Sequence, residues 1–382
     1  MPRNLGIKND LVNWFVKNVA IPNLMRLDIP GFVIVKQNYE GREIEQRNIF
    51  FSELQIAGFE SALVKNFGER GKKIAYTMLT NSTYAYCHSY GIPQLKDGEK
   101  AIDEFFSFYT AFMGVTWGEF LNLDYDLKTK ILQVNLGDHI VCRKNGLGYM
   151  FSSGIFAGGW QHLMQDPTIQ ASQIECVGKG DKSCRVIAGP IEYLKKQKYE
   201  VIEATGTRTY STDISYWEMN KSRPMQYSKA SLRELIAAGF FKFEKNKLTF
   251  HEDRYCFTGI ELLYVFEETA AKDPKVSKLL FETTFEQGKK IALAEKTNEY
   301  STFIPDILSA FGYGDTLISH NNSKFIIETN YFPYLETYDQ INYQYFKGLV
   351  SGLLSGFLGK EIILKNHSTN VSNGYLQLVL LE

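Results

Sequence analysis

Hydrophobic and polar positions follow two different periods along this chain. From Phe50 to Ala75 the residues Phe51, Leu54, Ala57, Phe59 and Leu63 recur at helical spacing, and Phe105 to Met113 carries a second helical pattern. Ile131 to Leu136 reads as a strand and Gly154 to Met164 as a glycine-bearing helix. Gln173 to Val177 and Cys184 to Ile187 read as two strands closed by a Gly-Lys-Gly-Asp-Lys turn, which has the residues of a tight hairpin. The order helices, strands, helix, hairpin predicts an α+β fold, an antiparallel sheet covered on one face by helices.

The pattern occurs twice. Gly31-Phe32 and Gly239-Phe240 each open an apolar run; Arg47 ahead of Ile49-Phe50-Phe51 matches Arg254 ahead of Phe257. Glu69 to Ala75 and Glu286 to Ala292 both read E-x-G-K-K-I-A. Trp117-Gly118-Glu119 matches Tyr313-Gly314-Asp315, and the Gly154/Gly158 spacing returns at Gly348/Gly352. Matched signals in one order predict two tandem copies of one module. The expected divisions are an N-terminal extension (1–23), a first module (24–194), a connector (195–225) and a second, degenerate module (226–382). The first copy carries roughly 20 extra residues between Ala75 and Trp117, either a lid over a pocket or a surface loop.

Composition narrows the function classes. A length of 382 residues, 44% apolar, has room for two folded domains. The net charge of −1 removes the basic excess that non-specific nucleic-acid binding draws on. The longest apolar runs, such as Leu349 to Leu358, fall short of the ~20 residues of a membrane span, and no secretory signal pattern opens the chain. Five cysteines do not form an even disulfide framework, so a reducing cytoplasm is expected.

The most specific local feature is Glu175 to Cys184. With a turn centred on Gly180, Cys176 and Cys184 face each other with Cβ atoms about 5 Å apart. Such thiols either share a metal, zinc being the natural one, or pack as small hydrophobes. His139, His162, His251, His320 and His367 never fall at paired ligand spacing and read as surface or satisfied core residues. No G-x-G-x-x-G, P-loop or Ser-His-Asp arrangement is present.

Ser153 to Gly158, Glu175-Cys176 to Cys184-Arg185-Val186-Ile187 and Gly189 to Glu192 together resemble the 4-vinyl reductase domain family. They look closest to the sensor modules of phenol- and xylene-responsive sigma-54-dependent activators. The resemblance continues upstream through Gly71, Met113-Gly114 and Gly118-Glu119-Phe120 and covers most of the first copy. It implies a fold related to the transport-particle (TRAPP) subunits, dimerisation through helices, a small apolar ligand pocket and a structural zinc.

Carried over, the two hairpin thiolates fall on Cys176 and Cys184. The family's carboxylate falls on Gln173, with Glu175 close by, and its upstream cysteine on Tyr149 or Met150, with Cys142 as the nearby substitute. The expected zinc set is therefore Cys176 and Cys184, completed by Glu175 or Cys142. The phenol-binding His falls on Thr110 and the pocket Trp near Gln133, which disfavours phenol itself. Phe106, Tyr109, Phe112, Trp117, Tyr149 and Trp160, with Thr110, are the expected ligand-binding residues for an apolar or aromatic molecule; the same aromatics at helical spacing equally read as core.

The resulting expectation is a small-molecule sensor whose output passes through a partner protein. An enzyme of tetrapyrrole or aromatic metabolism and a non-catalytic TRAPP-like scaffold are the alternatives. The two copies are expected to pack as an intramolecular pseudo-dimer, the second without zinc.

Overall fold

The computed structural model describes residues 3–4, 25–39, 42–89, 92, 94, 102, 106, 116–146, 148–207, 227–228, 230–244, 247–295, 299–321, 324–333, 340–372 and 375–382. The first half runs β1 (Arg3–Asn4), β2 (Met25–Ile29), β3 (Phe32–Tyr39), β4 (Arg42–Ser52), α1 (Glu53–Phe67), α2 (Glu69–Ser89), β5 (Glu119–Asp126), β6 (Ile131–Gly137), the single turn α3 (Cys142–Asn145), α4 (Ile155–Met164), β7 (Ile169–Glu175), β8 (Cys184–Pro190) and α5 (Ile191–Lys196). The second runs α6 (Leu232–Ala237), β9 (Lys242–Glu244), β10 (Lys247–Phe250), β11 (Asp253–Gly259), α7 (Glu261–Ala271), α8 (Pro274–Ala294), α9 (Tyr300–Ala310), β12 (Asp315–Asn321), β13 (Lys324–Phe332), α10 (Gln344–Leu358), β14 (Asn366–Ser372) and β15 (Tyr375–Leu381). Every strand pairing is antiparallel among the described residues, and helices pack on the sheets, so the fold is α+β.

The helix expected from Phe50 starts later, because the chain is still in β4 until Ser52. Ile49, Phe50 and Phe51 are all buried, so this strand shows no alternation to distinguish it from a helix. Ser52 then caps α1: its side chain accepts from the Gln55 N–H while the Gln55 side chain accepts from the Ser52 N–H. Gly68, at φ 56°, ends α1 and lets α2 start in a new direction. The expected helix over Phe105 to Met113 lies outside the described residues except for Phe106.

The two halves meet in one sheet of order β2-β3-β4-β11-β10-β9. β4 pairs with β11, and Phe50 lies opposite Phe257 with ring centroids 5.9 Å apart. Around that point the contacts are reciprocal: α1 packs on α8, and α2 packs on α7. Arg47 on β4 donates to the carbonyls of Gly312 and Tyr331 in the second half, both at 2.7 Å. Arg254 on β11 donates to those of Asp138 (2.8 Å) and Thr116 (3.2 Å) in the first. Both guanidinium groups are buried, so each supplies donors to carbonyls that water does not reach. The remaining sheets also correspond, with order β5-β6-β8-β7 in the first half, extended by β1 on β5, and β12-β13-β15-β14 in the second.

One of the matched sequence signals does not correspond in space. Gly71 sits at the start of α2, where an added Cβ would lie 2.1 Å from the Leu63 carbonyl oxygen of α1. Gly288 sits two-thirds along α8, where a Cβ would lie 2.2 Å from the Leu349 oxygen of α10. The two heptapeptides, alike at six of seven positions, use their glycine against different neighbours. The Gly154/Gly158 and Gly348/Gly352 pairs do correspond: Gly158 meets the Thr80 carbonyl of α2, and Gly352 the Phe285 carbonyl of α8.

This packing predicts opposite outcomes for adjacent glycines. A Cβ at position 158 would lie 2.2 Å from the Thr80 oxygen, whereas at 159 the nearest neighbour is a Thr83 methyl at 3.6 Å. Gly158→Ala should destabilise by about 1–3 kcal/mol through forced separation of α4 from α2. Gly159→Ala should stabilise by up to ~1 kcal/mol through helix propensity alone. Urea unfolding midpoints of the two variants check this.

Candidate metal centre

Three elements bring Cys142, Cys176 and Cys184 together. Cys142 opens α3, which is tied to α1 by a two-pronged pair: Arg143 Nε and Nη2 both lie 2.7 Å from the Glu53 carboxylate. Cys184 opens β8 opposite Leu136 of β6. The tight hairpin expected between the last two cysteines is replaced by a longer connection. A register shift after Gln173 pairs Glu175 with Arg185, and Cys176 leads into a single 3-10 turn, Val177–Lys179. That turn folds back onto α3, where a Cβ on Gly178 would lie 1.9 Å from the Cys142 carbonyl oxygen.

All three sulfurs are buried and lie within 4.8 Å of one another. Tetrahedral zinc, with Zn–S bonds of about 2.3 Å, holds thiolates about 3.8 Å apart, a spacing within the reach of this cluster. The trio already favours negative charge at one sulfur. Hydrogen bonds from Cys142 and Cys184, joined by the Gly178 and Lys179 N–H groups, draw the Cys176 thiol well below its ordinary range. Hydrogen bonds with Cys176 and Cys184, and then burial, push Cys142 well above it.

A fourth donor stands beside them. Gln173 Nε2 lies 3.1 Å from Cys142 Sγ, and its Oε1 is a buried acceptor with no hydrogen-bond partner. Rotation of this amide presents Oε1 to the cluster. Room for the side chain comes from Gly148, where a Cβ would overlap Gln173 Oε1. His139 and Ser152 form an outer layer: His139 Nδ1 lies 3.3 Å from Cys142 Sγ, and Ser152 Oγ lies 2.9 Å from that sulfur and 3.2 Å from Nδ1. Burial, with the Arg254 charge second, holds His139 down at about 3, so the imidazole is neutral at pH 7. The donor set fits a thiolate-preferring metal.

Of the expected ligands, the structure thus assembles Cys142, Cys176 and Cys184. Glu175 instead pairs with Arg185 at 2.6 Å, because the register shift turns it along the sheet edge. Gln173 had a sequence signal in its family position; Ser152 had none, and His139 only its place three residues before Cys142.

No protein-family model matches the chain, and no curated protein matches it. Among solved structures it is similar to the phenol-responsive sensory domain of the transcription activator PoxR, determined with phenol. The match has 18% identity and a TM-score of 0.35, and covers 50% of this chain and 95% of that one. The 4-vinyl reductase resemblance therefore rests on the motif residues themselves.

The expected ligand-binding residues separate into groups. Phe106 stacks on Tyr125 at 5.6 Å and lies 5.8 Å from Trp160, whose Nε1 donates to the Lys130 carbonyl. Trp117 donates its indole N–H to the Phe257 carbonyl at 2.7 Å, a bond between the halves. The Tyr149 hydroxyl lies 3.4 Å from Glu200, with Lys72 over its ring. Tyr109, Thr110 and Phe112 lie outside the described residues. No helix among the described residues is long and apolar enough to cross a membrane.

Proposed function

We propose that this chain is a small-molecule-binding regulatory protein built from two copies of one module (24–194 and 226–382, joined by 195–225), with a structural zinc in the first. The observation that carries the reading is the buried Cys142-Cys176-Cys184 cluster, in which α3 brings Cys142 to the two cysteines of the β7–β8 segment that bears the family motif. Three thiolates and Gln173 would hold the zinc, which would supply cross-linking of α3 to the β7–β8 connection. The reciprocal arginines and the matching sheet orders support an intramolecular pseudo-dimer. Phe106, Tyr125 and Trp160 supply an aromatic wall for an apolar ligand, with output through a partner protein in a reducing compartment.

A scaffold without a ligand is the second reading, favoured by the packing of Phe106 directly on Tyr125 and close to Trp160. Native mass spectrometry of the full chain, prepared without chelator, separates the two. The sensor reading expects one zinc and a bound small molecule or a saturable hydrophobic probe whose affinity falls in Trp160→Ala. A zinc-loaded chain that binds neither leaves the scaffold, and absence of zinc overturns the metal assignment.

A further inference from the structure

The groove between α8 and α10 has an occupied counterpart in the first half. The carbonyls of Tyr76 and Thr80 approach Gly154 and Gly158 as those of Phe281 and Phe285 approach Gly348 and Gly352. Aligning these contacts places Asn81, Tyr84 and Gln161 in the positions of Glu286, Lys289 and Ser355. In the first half, the segment Ala204 to Thr207 lies across those three side chains. Gln161 donates to the Ala204 carbonyl and accepts from the Gly206 N–H, both at 2.8 Å, and Asn81 accepts from the Thr207 N–H at 3.1 Å. Gly206 rests on Tyr84, where a Cβ would come within 2.5 Å of the ring side chain.

In the second half the same three positions line an open groove of about 630 Å³. Its floor is more apolar than the first, with Phe281 and Phe285 stacked at 6.0 Å where the first half has Tyr76 and Thr80. Leu293, 67% exposed, continues the floor. One wall is itself extended: the Ile362 and Leu364 N–H groups bond Ser355 and Ser351 beneath, and the alternate residues Glu361 and Ile363 line the groove. Lysines 278, 289 and 360 balance Glu282, Glu286 and Glu361 around it. Balanced charges over an apolar floor suit a peptide backbone, with its donors and acceptors, rather than a strongly charged ligand.

We infer that this groove binds an extended peptide segment of a partner protein, which lays an apolar side chain on the Phe281–Phe285 stack. Its backbone N–H groups meet Glu286, as the Thr207 N–H meets Asn81, and Lys289, which stands where Tyr84 packs on Gly206, donates to its carbonyls. The inference stands apart from zinc and ligand, since the groove lies wholly in the half without the cysteine cluster.

The test pans a phage-displayed library of random dodecapeptides on the immobilised full chain and titrates the enriched peptides by fluorescence anisotropy. Enriched peptides should share an apolar residue and bind Leu293→Glu and Glu286→Lys at least about tenfold more weakly, while Leu121→Glu, at an exposed leucine on β5, leaves affinity unchanged. The mutated side chains are exposed, so all three variants should keep the parent melting temperature. Failure to enrich any peptide, or peptides that bind Leu293→Glu as they bind the parent, overturns the inference. So does a parent dimer that Leu293→Glu converts to monomer, since a second copy then fills the groove.

Discussion

Zinc content should fall from one ion per chain to none when Cys142 is replaced by serine, and should stay at one when Cys256 is. Both cysteines are buried, so loss of packing is common to the two variants. Only Cys142 lies with two other sulfurs; Cys256 sits in the central sheet opposite Phe51, where burial pushes its thiol far up. Metal held at a thousand times its Kd adds about 4 kcal/mol to stability, so Cys142→Ser should also lose that increment, and chelator should lower the parent to the same midpoint. Metal analysis with urea unfolding, with and without chelator, checks this. Equal zinc in the two variants would remove the metal centre. Gln173→Ala should weaken rather than abolish binding, because water can take the fourth position.

Arg47→Met should lower the stability of the whole chain by about 3–5 kcal/mol, the size expected when several buried acceptors lose their donor. Methionine keeps most of the side-chain length, so the loss is chiefly of the bonds to Gly31, Gly312 and Tyr331. Arg254→Met should cost less. It strips the Asp138 and Thr116 carbonyls, but the Asp138 carboxylate is 41% exposed and keeps Lys247 as an ion partner. Because each side chain bridges the halves, both should fall together. The four tryptophans (Trp14, Trp117, Trp160, Trp217) all precede the second half, so their fluorescence reports the first half and connector while far-ultraviolet circular dichroism reports the whole chain. Coincident transitions in Arg47→Met support coupled halves; two separated transitions would show halves that fold independently.

Elements with a clean period were legible in the sequence. β6 alternates buried and half-buried residues along its length, and α4 carries its apolar residues on a helical stripe. The central sheet was not legible, because β4 and β11 are buried on both faces and an unbroken apolar run does not distinguish strand from helix. Arg47 and Arg254 were visible as matched positions, yet nothing local says that each reaches into the other half. The E-x-G-K-K-I-A identity misled for a related reason: a short helical surface pattern recurs wherever one helix must approach another closely. At the metal centre, spacing found Cys176 and Cys184. Cys142, offered by the family resemblance as an alternative to Glu175, comes from a different element, and the fold brings it within reach where Glu175 turns to Arg185.

The pairing of Phe50 with Phe257 also sets a timetable for biosynthesis. On the ribosome β4 emerges with β3 to pair on one side, but its other edge waits for β11, roughly 200 residues later. At about 5–20 residues per second that is a delay of roughly 10–40 s. Throughout it the nascent first half presents an unpaired edge flanked by Ile49, Phe50 and Phe51, the arrangement that recruits a like strand from a neighbouring polysome chain. Two such chains meeting edge to edge would set Phe50 against Phe50, close to the contact the finished protein makes with Phe257. The hazardous interval for this protein is therefore translation itself, and its yield in cells should depend more on chaperones that shield nascent chains than on the stability of the completed molecule.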